Sequence, residues 1–166
     1  MLTAHELIGF MTPKLAAEIL EYAHSSEKEL YRATLAAVAQ ARKVRRVFLE
    51  RQPRIEQHNT MISTLTRPSM ELAAAGLLRT WLLKKHTALL TDFLDALGLP
   101  HKNGVVDDLP GAIEDAKLRS AVDAVLAKHP PEVVTVYLHA FCEMNETRWP
   151  NLKSLLETDP RLQFGN

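Results

Sequence analysis

A single cysteine, Cys142, leaves this 166-residue chain without a partner for an internal disulfide, so nothing in it calls for an oxidising compartment. Long apolar runs are also missing. The longest apolar-rich stretch, residues 133–142, falls well short of the ~20 residues that cross a bilayer. The first two dozen residues have neither the basic start nor the unbroken apolar block of a secretory leader. These absences set the expectation of a cytoplasmic protein with no membrane association. Net charge is absent too, since 20 Lys and Arg balance 20 Asp and Glu, and the total therefore points to no partner.

Familiar catalytic signatures are lacking as well. The chain contains no His-Glu-x-x-His, no Gly-x-Ser-x-Gly and no glycine-rich phosphate loop. The segment GLPHKNG lacks the glycine spacing of a phosphate cradle, and HKNGVVDD lacks the ligand register of an EF-hand loop. No cofactor is expected on these grounds. The same absences weigh against an enzyme, although a site assembled from separated helices would leave no local signature.

What the chain does have is helical patterning punctuated by nine prolines. Thr3 and Glu6 resemble a capping box for a short helix over 4–10. Thr12 followed by Pro13 provides an N-cap and a first-turn proline for a helix to about 24, with a restart near Ser25-Ser26. The next helix is expected to run to about 51 and stop before Pro53. Residues 55–65 are a poorer helical stretch. The strongest segment spans 68–97, with Gly98 and Pro100 as its stop; Leu72, Leu78, Leu82, Leu89, Phe93 and Leu97 cover more than one face, which predicts a long central helix. Asn103-Gly104 marks a loop over 101–111, and helices follow to about 128, from 131 to about 145, and from 150 to about 157. The expectation is an all-α bundle of about six to eight helices in one domain, 1–166, divisible into sub-bundles 1–65 and 66–166.

Three places carry residue types with chemistry. The stretch VVTVYLHAFCEMNE sets Thr135, His139, Cys142, Glu143 and Glu146 on one third of a helix. His139 and Glu143 at i,i+4 could share a metal with the thiolate of Cys142. The outward face of an amphipathic helix explains the same spacing with no further assumption, and that reading is preferred. A metal bundle would want a Glu-x-x-His element on each of two helices. Glu21 and His24 supply one, with no second in the chain. Metal binding is therefore not predicted, and Glu21, His24, His139 and Glu143 stand as its only candidates. Cys142 beside Glu143 is a poor nucleophile, because the carboxylate disfavours the thiolate.

The second place is ARKVRRVFLERQPR, where Arg42, Lys43, Arg45, Arg46, Arg51 and Arg54 face only Glu50. Across 42–85 ten Lys and Arg meet three Glu, a net of +7, against −2 for residues 1–41 and −5 for 86–166. On one helix Arg42, Arg45 and Arg46 would track a phosphate backbone. Alternatively they are a solvated helix end, or they pair with the acidic Asp107, Asp108, Glu114, Asp115 and Asp123, within a chain or between chains. Phe48 is the only aromatic interleaved among these cations. The third place is Trp81, which projects near Lys84, Lys85 and Asp92; it is an interface-anchor candidate and otherwise fills a gap between helices. Trp149 reads as a cap on the last helix.

The sequence thus points first to a helical interaction module, with a protein partner or self-association through its charged regions or an apolar groove. Nucleic-acid binding through 42–54 comes second, and a helix-bundle metal enzyme third.

Overall fold

A computed structural model describes residues 1–165. The fold is all-α: ten α-helices and two 3-10 turns account for the regular structure of the described residues, with one isolated bridge between Lys102 and Val105. The helices group into two compact units, Leu2–Trp81 and the residues from Leu82 onward. The boundary between these units falls inside a helix, and residues 65 and 66, where the sequence suggested dividing sub-bundles, both lie in the first unit.

In the first unit, α1 (Ala4–Phe10) and α2 (Pro13–Ser26) begin where the sequence indicates. The Thr12 hydroxyl accepts the Leu15 N–H at 3.3 Å, the expected N-cap bond. At α1, Glu6 reaches back to the Thr3 hydroxyl at 2.6 Å, and its first free amides are met from far along the chain. Glu71 accepts Ala4 N–H at 2.7 Å and His5 N–H at 3.0 Å. A remote carboxylate therefore neutralises the positive end of α1.

Helix α3 (Lys28–Ala41) ends ten residues before the expected stop, and α4 (Arg46–Glu50) is a separate five-residue helix. The break is a Schellman turn. Val44 N–H bonds Ala39 O at 3.0 Å, Lys43 N–H bonds Gln40 O at 3.1 Å, and Lys43 takes the left-handed conformation at φ 57°. A non-glycine residue there costs on the order of 1 kcal/mol, which is why composition did not announce the turn. Helix α5 (Arg54–Leu65) follows, and α2, α3 and α5 pack on one another around Ile19, Leu20, Leu35, Val38, Met61 and Leu65, each at most 3% exposed.

The long central helix expected over 68–97 does not form. A 3-10 turn (Pro68–Met70) precedes α6 (Glu71–Lys85), and His86, at φ −112° and ψ 34°, separates α6 from α7 (Thr87–Ala96). The Thr87 hydroxyl donates to Leu83 O at 2.5 Å, a back-bond of the type that bends and interrupts helices. Breaks at 42–45 and 86 are what raise the helix count to ten.

In the second unit, Gly98 (φ 69°) closes α7, as its sequence position implies. Helices α8 (Asp115–Lys128), α9 (Pro131–Met144) and α10 (Pro150–Thr158) follow, then a 3-10 turn, Pro160–Leu162. The valine-rich start of α9 is helical despite its β-propensity, because Pro131 opens it and its apolar residues find partners on α8 and α10. Phe93, Tyr137, Phe141 and Trp149 form an aromatic core with centroid separations of 5.2–5.9 Å, mostly edge to face. Trp149 is fully buried at the N-cap of α10 and donates its indole N–H to Pro110 O at 2.9 Å.

Candidate functional site

The polar stripe of α9 does not face water. Thr135, His139 and Cys142 are 1%, 6% and 5% exposed, while Glu143 and, just past the helix end, Glu146 lie open. The chain after α10 returns over this helix: the 3-10 turn packs on α9, Leu162 is buried, and the Phe164 ring stacks on His139 at 6.0 Å. The outward-face reading fails here because a helix projection counts polarity and knows nothing of a segment returning from twenty residues later. Burial, and then the Glu143 charge, push the Cys142 thiol up to about 11, so it is not an activated nucleophile.

Glu21 and His24, the other half of the metal proposal, belong to the first unit. Both are engaged by Arg54, whose guanidinium reaches Glu21 Oε1 and His24 Nε2 at 3.1 Å each. A guanidinium only donates, so His24 Nε2 accepts and carries no proton in this arrangement. No group of three or more His, Cys, Asp and Glu among the described residues is placed to hold a metal ion.

Trp81 is 2% exposed, which removes it as an exposed interface anchor. Its projected position near Lys84, Lys85 and Asp92 overstated its access to water.

The basic stretch is where the structure leaves most unsettled chemistry on the surface. Its six cations do not share one helix, as a phosphate-tracking ridge would require. Arg42 caps α3 and donates to Thr64 Oγ1 at 3.2 Å; Arg46 pairs with Glu50 at 2.9 Å; Arg54 is held by Glu21 and His24. Lys43, Arg45 and Arg51 are exposed and have no ion pair among the described residues. Between them lies apolar surface that sequence patterning did not flag. Helix α4 buries only Leu49, leaving Phe48 60% and Val47 39% exposed, with Val44 at 40% in the preceding turn. An exposed aromatic and two valines set among three unpaired cations form a compact amphipathic patch.

Behind α4 lies a cleft of about 340 Å³, walled by His24 of α2, by Lys28, Tyr31, Arg32 and Leu35 of α3, and by Glu50 and Gln57. Its floor is a fixed polar relay. The Tyr31 hydroxyl donates to Gln57 Oε1, and Gln57 Nε2 donates to Leu49 O at 2.8 Å, which ties the buried residue of α4 to α5. Burial pushes the Tyr31 phenol up to about 12, so it stays protonated and serves as a donor. The Tyr31 ring sits between two imidazoles, edge to face with His24 at 4.9 Å and His58 at 5.9 Å. His58 is 6% exposed and its Nε2 has no hydrogen-bond partner among the described residues; burial holds its pKa below the ordinary histidine value. The sequence signal for this site was slight. Two cations four apart on α3, Lys28 and Arg32, and an adjacent buried Gln-His pair in the polar 55–65 helix are the whole of it.

Set against protein-family models, curated proteins and solved structures, the chain matches none of them. Function has to be argued from the patch and the cleft themselves.

Proposed function

We propose that this chain is a helical interaction module, and that it self-associates by setting the α4 patch of one copy against the acidic 105–115 stretch of another. The observation that supports the reading is the combination at α4: Phe48, Val47 and Val44 exposed beside unpaired Lys43, Arg45 and Arg51. A phosphate backbone would use the cations and gain nothing from the two valines. A protein surface of opposite charge with its own apolar residue uses both. The 105–115 stretch has that character, with Val105 45% exposed and Asp107, Asp108 and Glu114 exposed without ion pairs among the described residues. Charge complementarity would set register and encounter rate, while burial of Phe48 and the valines would supply most of the affinity. A cytoplasmic setting suits a chain whose one thiol is buried.

Such a contact gives a two-fold dimer where both patch pairs form at once, and chains or closed rings where each pair joins a different copy. The test is light scattering with size-exclusion chromatography across protein concentration and salt. Mass should rise with concentration at about 50 mM salt and fall back by about 500 mM, where screening shortens the Debye length. Phe48→Ser should abolish assembly. Arg45→Glu with Arg51→Glu should do the same, and adding Asp107→Lys and Asp108→Lys should restore it. A monomer at every concentration at low salt refutes the proposal. A second reading, binding of single-stranded nucleic acid, is favoured by one observation, Phe48 exposed between arginines as a stacking platform. Retention of a single-stranded oligonucleotide by a monomeric protein, lost in Phe48→Ser, would select it.

A further inference from the structure

We infer that the cleft between α2 and α3 is a binding site for a phosphate monoester. Two local rules of helix electrostatics are broken at one place. Lys28 is the first residue of α3, where a positive charge opposes the helix dipole. Arg32 lies one turn on, and like charges at i,i+4 destabilise a helix. Neither side chain has a hydrogen bond or ion pair among the described residues, and both line the same cleft. Glu29, the acidic residue of that first turn, is not on the cleft wall. Natural sequences break local rules of this kind where a ligand restores the balance.

The rest of the wall fits a dianion carrying an organic group. His24 uses Nε2 to accept from Arg54, which leaves the proton on Nδ1 and makes the ring a donor. Two cations and an imidazole donor match the three outer oxygens of a phosphate monoester, with the guanidinium able to bind two of them at once. Leu35 and the Tyr31 ring supply apolar and aromatic surface for the ester group, and about 340 Å³ lies at the small end of ligand-sized sites. Glu50 is the one carboxylate on the wall, and Arg46 pairs with it at 2.9 Å, which blunts its repulsion of an anion. The site uses none of the exposed patch residues, so its test stands whether or not the chain self-associates.

The experiment is calorimetric titration, supported by histidine-ring NMR, with inorganic phosphate and phenyl phosphate as probes at matched ionic strength and chloride as the control anion. Phenyl phosphate should bind more tightly than inorganic phosphate, with the His24 ring resonances shifting. Lys28→Gln with Arg32→Gln should weaken binding at least about tenfold per cation removed. Both positions are exposed, so folding should be unaffected, as circular dichroism will report. Glu50→Gln should tighten binding several-fold, a gain that loss of structure cannot produce, while Lys153→Gln on the second unit should leave it unchanged. Phosphate shifts no larger than those of chloride, or equal binding in the Lys28/Arg32 double variant, overturn the inference. Equal affinity for the two probes overturns the assignment to a monoester.

Discussion

Replacing Glu71 by alanine tests whether α1 is held at its N-terminus by a carboxylate sixty-six residues away. The side chain accepts Ala4 N–H at 2.7 Å and His5 N–H at 3.0 Å, and it meets His5 Nδ1 at 2.6 Å. A hydrogen bond to a charged group contributes ~1.5–3 kcal/mol when shielded. About a third of the Glu71 side chain remains in water, and the freed amides of α1 would be solvated. The net loss should therefore be about 2 kcal/mol, below the simple sum of three such bonds. Helix α1 should stay docked, because Leu7 and Ile8 are 1% and 4% exposed and each contributes roughly 1.5–3 kcal/mol of burial. The pH dependence has a definite sign. Burial raises the Glu71 pKa, but the hydrogen bonds from His5 and Ala4 outweigh it, so the folded value lies below the ordinary one. The stabilisation is thus present above the ordinary glutamate range and is lost as pH falls through the depressed value. Urea unfolding with amide exchange at Ala4 and His5 measures both effects, and Glu71→Gln, which keeps an acceptor and drops the charge, should fall between. A change below about 0.5 kcal/mol with unaltered exchange at both amides would refute the capping argument.

Two further outcomes follow from buried groups. His58→Phe should raise stability by about 1 kcal/mol, because the unpaired buried Nε2 is removed while a slightly larger aromatic ring takes its place. Burial, opposed by Glu21 and assisted by Arg54 and His24, depresses the His58 pKa; its neutral form belongs to the fold, and stability is lost as pH falls from about 6.5 toward the folded value. The variant should flatten that acid limb without abolishing it, since His86 is depressed in the same direction by burial; identical slopes at pH 7.5 and 5.5 in both proteins would count against it. Cys142 should react with a disulfide reagent at pH 8 far more slowly than a free thiol, and Phe164→Ala should speed it by about tenfold by loosening the cover on α9. Wild-type labelling at the free-thiol rate would contradict the burial described for it.

Much of the helical framework was legible because its signals are local. Pro13, Pro131 and Pro150 open helices where first-turn prolines belong, and Gly98 closes α7 in a left-handed conformation that glycine adopts at no steric cost. The breaks at Lys43 and His86 were not legible. Neither position carries glycine or proline, and in each case the turn is held by bonds that become favourable once the flanking helices pack. The candidate site was less legible than the fold. The cations of 42–54 were visible, but that Arg42 is hydrogen-bonded to Thr64 while Arg46 and Arg54 are paired with Glu50 and Glu21 depends on contacts across as many as thirty-three residues.

Its residues alone make this chain helical, deny it a helix-length apolar span, and set where charge of each sign is concentrated. Those properties follow from residue spacing and type, which act within a few turns. Tertiary structure alone decided which polar residues meet water. His139 and Cys142 sit on the polar arc of α9 and are buried, His139 under the Phe164 ring of the returning chain end, whereas Phe48 and Val47 are apolar and exposed because α4 is too short to bury more than Leu49. Burial is a property of what packs against a face, and no helical projection contains the second surface.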